Sequence, residues 1–230
     1  MARIEDRRTA LLAGIPARYS GALHFAFVNL LGAGLVAASL AQVRELAPWQ
    51  LACVPAFLLF DNLFEWWIHK GPLHRRAPLL GRLYERHTRS HHVVFTAERM
   101  AIGGARELKL VLFPAWVLPL LLLLVAPLTG ALFLIEPNLA WLFLGSSFAY
   151  YLLYEWLHTL HHLPRRGWLA RSRLAAALGE HHARHHEPAR MTRGNFNVSF
   201  PLADWLLRST LPAEERVTDA PDTSSLRSGT

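Results

Sequence analysis

The chain has 230 residues, of which 52% are hydrophobic and only 18% are charged, whereas roughly 25% are charged in an average soluble domain. A formal net charge of +7 and a mean hydropathy of +0.19 describe a basic but apolar chain, whose long uncharged runs argue against a nucleic-acid partner. The apolar content excludes a disordered or collagen-like chain, and the single cysteine excludes a disulfide scaffold and a zinc or iron–sulfur site built from cysteines.

In chain order, four apolar segments are long enough to cross a bilayer, which takes roughly 20 mostly apolar residues. They cover about 22–43, 50–68, 110–128 and 138–157. Between the last two the only charge is Glu136, so the chain must turn back either at Pro127–Gly130 or at Glu136-Pro-Asn. The sequence therefore predicts an all-α integral membrane protein with four transmembrane helices in two hairpins. The alternative is a soluble bundle of buried helices.

Basic residues alternate between the polar segments. Lys and Arg number four in 1–21, nine in 69–109 and ten from 158 onward, whereas the two remaining turns contain Arg44 alone. By the positive-inside rule we expect both termini in the cytoplasm, under a cytoplasmic helical cap built from 69–109 and 158–210. We expect one domain over 1–210 and a disordered tail over 211–230. The scarcity of Lys relative to Arg indicates a bacterial genome and hence the inner membrane.

The 13 histidines are the most distinctive feature of the composition. His24 lies inside the first predicted span, where we expect it to be a polar packing residue. The other twelve follow the second or the fourth span and form four clusters. These are H-x4-H (His69, His74), H-x3-HH (His87, His91, His92), H-x2-HH (His158, His161, His162) and HH-x2-HH (His181, His182, His185, His186).

Helical spacing indicates which of these side chains converge, because positions i, i+3 and i+4 share a face. It predicts that His87 aims at the same point as His91, that His158 does so with His162, and His182 with both His185 and His186. Neutral imidazole binds iron, copper and zinc, and twelve histidines are too many for one structural zinc site. They suit two metal ions, with His161 and His181 pointing away from the rest. The alternative is a solvated basic face, or one that binds lipid head groups.

Three acidic residues stand at helical spacing from the clusters. Asp61 and Glu65 precede His69, and Glu155 precedes His158. A carboxylate inside a span costs roughly 2.5–3.5 kcal/mol, so it should face the protein interior. We expect these carboxylates to accept hydrogen bonds from metal-bound imidazoles. The alternative is that they pair with arginines at the membrane interface.

The motifs together resemble the integral-membrane fatty acid hydroxylase and sterol desaturase superfamily in its short bacterial form. The resemblance covers about residues 55–210 and rests on the four ordered clusters, on Tyr154-Glu155-Trp156-Leu157-His158, and on the stretch Asn195-Phe-Asn-Val-Ser-Phe-Pro-Leu-Ala-Asp-Trp-Leu-Leu. Two features depart from the family. The second cluster has three residues before its pair where several eukaryotic members have two, and Leu-Leu-Arg-Ser stands where many relatives have a glycine.

The resemblance implies two iron ions and dioxygen as cofactors, with zinc able to replace iron in purified protein. Either His161 or His162 could fill the ligand position of the third cluster, and the H-x3-H spacing favours His162. The remaining candidates, Asp61, Glu65, Glu155, His161 and His181, would support the metal ligands or substitute for one. The implied ligands are His69, His74, His87, His91, His92, His158, His162, His182, His185 and His186.

The implied reaction is hydroxylation of an unactivated C–H bond of a lipid, a fatty acyl, sterol-like or isoprenoid chain, with O2 and two external electrons. A lipid desaturase or carotenoid hydroxylase with the same site is the alternative. The chain has no His-Pro-Gly-Gly haem signature, so we expect a separate electron donor: a ferredoxin, a cytochrome b5-like protein or a flavoprotein reductase. An acidic donor would suit the basic cap, including Arg75, Arg76, Arg165 and Arg166, although the positive-inside rule also explains these arginines.

Two other classes of protein compete with this interpretation. A membrane metal transporter would place its ligands along a path inside the membrane, and only His24, Asp61 and Glu65 favour it. A membrane haem protein needs axial histidines within its spans and leaves most of the clusters unexplained.

Overall fold

The computed structural model describes residues 2–164 and 171–212, and these are helical with connecting turns and no strand. Of the tail predicted over 211–230, residues 213–230 lie outside the described residues, as do Arg165 and Arg166. The α-helices are α1 (Ala2–Ala13), α2 (Gly21–Leu40), α3 (Pro48–Ala52), α4 (Val54–Ile68), α5 (Gly81–Arg86), α6 (His92–Val94), α7 (Leu108–Val111), α8 (Val117–Ile135), α9 (Pro137–His162), α10 (Arg173–His185) and α11 (Leu202–Leu206). Short π-helices occupy His69–Leu73 and His87–His91, and a 3-10 turn occupies Ala105–Glu107.

Three helical segments are long and apolar enough to cross a membrane, namely Gly21–Leu40, Pro48–Leu73 and Val117–Ile135. The fourth predicted span, 138–157, lies within α9, which is continuous but less apolar because it carries a serine, tyrosines, a glutamate and histidines on its buried face. Four spans in two hairpins therefore remain a prediction, whereas the all-helical fold is confirmed for the described residues.

The third predicted span begins too early. Helix α8 starts at Val117 rather than at residue 110, because the chain leaves the helical path after α7. Pro114 has no backbone N–H to donate, and the N–H of Phe113 is instead bonded to the Glu155 carboxylate at 3.0 Å. The same helix continues through Pro127 and Gly130.

The reversal between the last two long helices takes place at Glu136, so the second of the two predicted turn positions is the correct one. Glu136 is extended, and its side chain accepts a hydrogen bond from the backbone N–H of Asn138 at 3.3 Å. Pro137 follows at the first position of α9, where its missing N–H costs nothing and its fixed φ suits a helix.

Helix α9 is the centre of the fold and packs against α2, α4 and α8. A core of Val28, Val125, Phe143 and Phe148 with their apolar neighbours joins these helices. The approach of α2 to α9 is closest at Gly32, where a Cβ atom would lie 2.6 Å from the Leu152 side chain. The outer faces of α2 and α8 expose many leucines, which suits contact with lipid tails.

Candidate metal centre

Ten of the histidines meet in two buried groups of five at the ends of α4 and α9. Within each group, one ring nitrogen from every member lies within 4.8 Å of all the others. The first group is His69, His74, His87, His92 and His185, and the second is His91, His158, His162, His182 and His186. These are the ten residues that the resemblance implied as ligands.

The spacing of the ring nitrogens suits a shared metal ion. In the first group the Nε2 atoms of His69 and His87 are 2.8 Å apart, and those of His87 and His92 are 3.0 Å apart. In the second group the Nε2 atoms of His182 and His162 are 3.3 Å apart. Metal–imidazole bonds of about 2.0–2.1 Å put two ligand nitrogens about 2.9 Å apart at a right angle and about 3.4 Å apart at a tetrahedral angle.

The two π-helices explain which members of the first two clusters share a group. A π-turn advances more residues per turn than an α-helix, so it brings residues five apart onto one face. His69 and His74 enter the first group in this way, and so do His87 and His92. His91 points to the second group. The expectation that His87 and His91 aim at one point, based on α-helical spacing, is therefore wrong.

Helix α10 contributes to both groups. His182 and His186, four residues apart, bring their Nε2 atoms to 3.0 Å in the second group, whereas His185 joins the first. The expectation that His185 shares their focus is wrong, because its ring points to the other side of the helix end. The two groups are adjacent, since the rings of His92 and His186 stack with centroids 4.2 Å apart.

Backbone carbonyls orient many of these imidazoles. A carbonyl can only accept, so each ring that contacts one through Nδ1 has its proton there and leaves the Nε2 lone pair for a metal. His69 Nδ1 donates to the carbonyl of Phe196. The other bonds of this kind join His91 to Leu110 at 2.9 Å, His162 to Met100 at 2.7 Å, His185 to Gly194 at 3.0 Å and His186 to Phe95 at 2.7 Å.

The side chain of Thr88, rather than a backbone carbonyl, orients the ring of His74. Its hydroxyl hydrogen is donated to the carbonyl of Leu73 at 2.7 Å. The Thr88 oxygen therefore accepts from Nδ1 of His74, at 3.0 Å. Sequence reasoning did not identify Thr88, and its place one residue after a clustered histidine gives only a weak signal.

Burial keeps the imidazoles neutral. Desolvation, reinforced by the neighbouring His185, lowers the pKa of His74 to about 2. Desolvation also lowers the pKa of His185, to about 4, and holds the pKa of His87 and His182 well below the usual value. Neutral imidazole is the form that binds metal ions. The Nδ1 atoms of His92, His158 and His182 are buried with no hydrogen-bond partner among the described residues.

The three carboxylates do not contact the ten histidines in the way that the spacing predicted. Asp61 accepts from Ser147 at 2.8 Å, and Glu155 accepts from Phe113 and from a tyrosine of α9. Glu65 binds the loop that follows α10, accepting from the backbone N–H groups of residues 198 and 199. Backbone carbonyls, rather than these carboxylates, accept the hydrogen bonds from the imidazoles. The loop and the cap supply these carbonyls closer to the rings.

The three remaining histidines lie outside both groups. His161 Nε2 donates to the carbonyl of Val198 at 3.1 Å, and His181 Nε2 lies 3.1 Å from the carboxylate of Asp204. His24 is hydrogen bonded to the hydroxyl of Tyr19 at 2.7 Å. Of the two residues that could fill the third ligand position, His162 is therefore the one that joins a group, in agreement with the H-x3-H spacing.

The Asn195–Leu207 stretch noted in the sequence forms a loop that packs against the first histidine group. The Asp204 carboxylate accepts from the N–H groups of Phe196 and Asn197 at 3.1 and 2.8 Å. This holds the Phe196 carbonyl against His69, and Glu65 of α4 accepts from the N–H groups of Val198 and Ser199 in the same loop. The loop thus links the carboxylate of α4 to the histidine that ends the same helix.

A cavity lies between α4, α8 and α9 and reaches His69. Its walls are mostly apolar, with Phe64, Val117, Leu121 and Leu124 among them. The cavity therefore touches the first histidine group through His69.

Three comparisons with known proteins were made, and one of them found a match. No curated protein sequence and no solved structure matches the chain. The profile of the fatty acid hydroxylase family matches residues 54–209, a range that begins with α4 and contains all ten grouped histidines. Because this range covers more than half of the sequence, the chain belongs to the fatty acid hydroxylase family, as its motifs predicted.

Proposed function

We propose that this protein is a membrane-embedded non-haem di-iron oxygenase that hydroxylates an unactivated C–H bond of a lipid. The observation that carries the proposal is the junction of two adjacent five-imidazole groups with an apolar cavity. An oxygenase for hydrocarbon chains needs both features in contact, because the chain must lie against the metals and away from water.

The donor set fits two metal ions. The first group would hold one ion and the second group the other, each through neutral imidazoles that carbonyls and Thr88 orient. Two bound iron ions would supply the redox chemistry, in which O2, two electrons and two protons convert C–H to C–OH and release one water. Iron is the metal we propose, and zinc would bind the same imidazoles in material purified without added iron.

The chain's own residues position the substrate. Phe64, Val117 and Leu121 would pack along the lipid chain and exclude water from the reacting carbon. His69, at the inner end of the cavity, would fix the distance between the chain and the first metal. No acid or base from the chain needs to cleave the C–H bond, since the metals carry that chemistry.

We further propose that the metal site and both termini face the cytoplasm of a bacterial inner membrane, where a separate soluble or membrane-bound electron donor can dock. The basic segments support this orientation. Arg75 and Arg76 are exposed beside the first group, and Arg76 is paired with Glu85. An acidic face on the donor would suit this surface.

Comparative lipidomics tests the proposed function. Cells that express the protein should contain a lipid heavier by one oxygen, and 18O2 should label that oxygen. The purified protein should hold two irons per chain and show no Soret band. A lipid lighter by two hydrogens would favour the desaturase instead, and metal flux into liposomes without oxygen consumption would contradict both and favour a transporter.

A further inference from the structure

The segment 195–209, which contains α11, forms a hairpin beside α4. Its two ends meet where the backbone N–H of Asn195 donates to the carbonyl of Ser209 at 2.9 Å. The buried carboxylate of Asp204 links the two arms, because it accepts from the Ser209 hydroxyl at 2.6 Å and from two backbone N–H groups of the first arm. The segment is therefore a folded hairpin with its own internal hydrogen bonds.

Contacts with α4 show that this hairpin descends along the helix, away from the metal ligands. A carbonyl of its first arm accepts from His69, and the N–H groups that follow donate to Glu65, one turn earlier in α4. The turn of the hairpin reaches Asn62, whose side-chain amide is bonded to the carbonyl of Phe200 and to the N–H of Ala203, each at 2.8 Å. Asn62 precedes His69 by seven residues, so the turn lies about 10 Å along the helix from the first histidine group.

The side chains that the hairpin exposes are all apolar. Over 195–207 the only ionisable side chain is that of Asp204, which is fully buried. Trp205 is 62% exposed and Leu206 is 58% exposed. Exposed polar residues begin again only at Arg208. A contiguous apolar patch of this kind marks an interaction surface. Its members are Phe200, Leu202, Trp205, Leu206 and Leu207.

The patch continues the exposed apolar surface of α4. This helix belongs to the segment Pro48–Leu73, which is long and apolar enough to cross a membrane. Leu58 and Leu59 precede Asn62 by four and three residues, so they share its face of the helix, and both are exposed. The turn of the hairpin thus lies beside a part of α4 that is itself suited to contact with lipid tails.

The hydrogen bonds of the turn also suit a position inside the bilayer. Non-helical backbone is tolerated at membrane depth only where protein supplies its hydrogen bonds, since lipid tails offer none. Asn62 and Glu65 supply bonds to four backbone groups of the hairpin from within α4. Pro201, in the turn itself, has no N–H to satisfy. An aqueous loop would need no such provision, because water could bond the same groups.

We propose that 195–209 is a re-entrant membrane segment, whose turn enters the acyl chains of the leaflet nearest the histidine groups. The hydrocarbon of the bilayer is the partner of its apolar patch. This divides the predicted cap over 158–210, because part of it then lies below the membrane surface. The same hairpin holds a carbonyl against His69, so it also fixes the depth of the first histidine group in the bilayer. The proposal rests on the membrane setting of the proposed function but not on its chemistry.

Fluorescence quenching from the lipid side and from the water side tests this position. We would replace the single cysteine by Cys53→Ser, attach the fluorophore NBD to Leu206→Cys, and reconstitute the full-length protein in phosphatidylcholine vesicles. Doxyl groups on the acyl chains should quench the probe strongly, whereas iodide on both sides of the vesicle should quench it little. Leu59→Cys is the lipid-facing reference and should behave in the same way. Thr192→Cys, exposed just before the hairpin, is the aqueous reference and should show the reverse.

Two results would overturn the proposal. Quenching of the Leu206→Cys probe by iodide rather than by doxyl lipid would place the patch in water. Protection from both quenchers would show that protein covers it, either a second copy of the chain or another partner.

The unmodified protein offers an independent measurement if a labelled variant does not fold. A phospholipid with a photoreactive diazirine in its acyl chain should label the peptide that contains Trp205, as well as peptides of α8. Labelling of α8 without labelling of the Trp205 peptide would refute the re-entrant segment.

Neither measurement requires turnover, so the two proposals can fail separately. A lipid-exposed hairpin in a protein that forms no oxygenated lipid would support the segment and count against the oxygenase. An oxygenated lipid together with a water-exposed hairpin would do the opposite.

Discussion

His182 is fully buried in the second group, with its Nε2 atom 3.0 Å from that of His186 and 3.3 Å from that of His162. We predict that His182→Ala lowers bound iron from two ions per chain to about one and abolishes turnover, because one ion loses a central donor. Elemental analysis with a lipid product assay measures both. His24→Ala is the control, since His24 lies outside both groups, and it should retain iron and product. Equal iron content and activity in the two variants would contradict the assignment.

Thr88 permits a finer test of how the rings are oriented. Thr88→Val keeps the shape of the side chain but removes the acceptor for Nδ1 of His74 and the donor to the Leu73 carbonyl. Loss of such a supporting hydrogen bond typically costs 10–100-fold in metal affinity. We predict a loss of this size for the first metal in chelator competition. Thr88→Ser keeps the hydroxyl and should bind as the unmodified protein does; an unchanged affinity in Thr88→Val would refute the role.

For individual residues, the sequence predicted which histidines join a group better than which of them share the same group. Counting spacings on an α-helix paired His87 with His91, but the structure separates them. This prediction failed because the choice between α-type and π-type hydrogen bonding in a turn depends on tertiary contacts. The residues of the turn do not reveal it. The positions of Asp61 and Glu155 were likewise readable, whereas their partners belong to distant segments.

The π-helix at His69–Leu73 is the element that makes the H-x4-H spacing work. Inserting one alanine after Gly71 would add one residue of helix between His69 and His74, which rotates one ring by roughly 100° relative to the other. We predict that this insertion removes the first metal and leaves the second, so bound iron falls by about half. Gly71→Ala is the control, because a Cβ at this position meets nothing within 4 Å; it should bind two irons. Full iron loading in the insertion variant would show that this spacing is not required.

Among the long elements, the helices themselves were predictable and some of their ends were not. Apolar length identified α2, α4 and α8, since lipid contact requires uninterrupted hydrophobicity. The start of α8 was missed because Leu110–Trp116 is as apolar as the helix that follows. Only the bond from Phe113 to Glu155, together with Pro114, shows why the chain bends there.

At the scale of the whole molecule, ten neutral imidazoles are buried without a counter-charge, so folding and protonation are coupled. In the metal-free protein, a histidine whose folded pKa is depressed binds a proton more readily when unfolded. Stability is therefore complete above the unfolded pKa of about 6.5 and is lost as the pH falls toward the folded value. For His185, whose pKa is lowered to about 4, the loss is about 3 kcal/mol, and the other members of the groups add to it.

We therefore predict that removing metal with a chelator makes the protein sensitive to acid. Thermal unfolding of the metal-free protein in detergent should occur at a steadily lower temperature between pH 7 and pH 5, because the unfolded state takes up protons that the folded state excludes. The iron-loaded protein should unfold at a higher temperature at pH 7, since only the folded state presents the two five-imidazole groups. A metal-free protein with constant stability across this range would show that the histidines are not buried together as neutral rings. The metal ligands would then have to come from another arrangement of the cap.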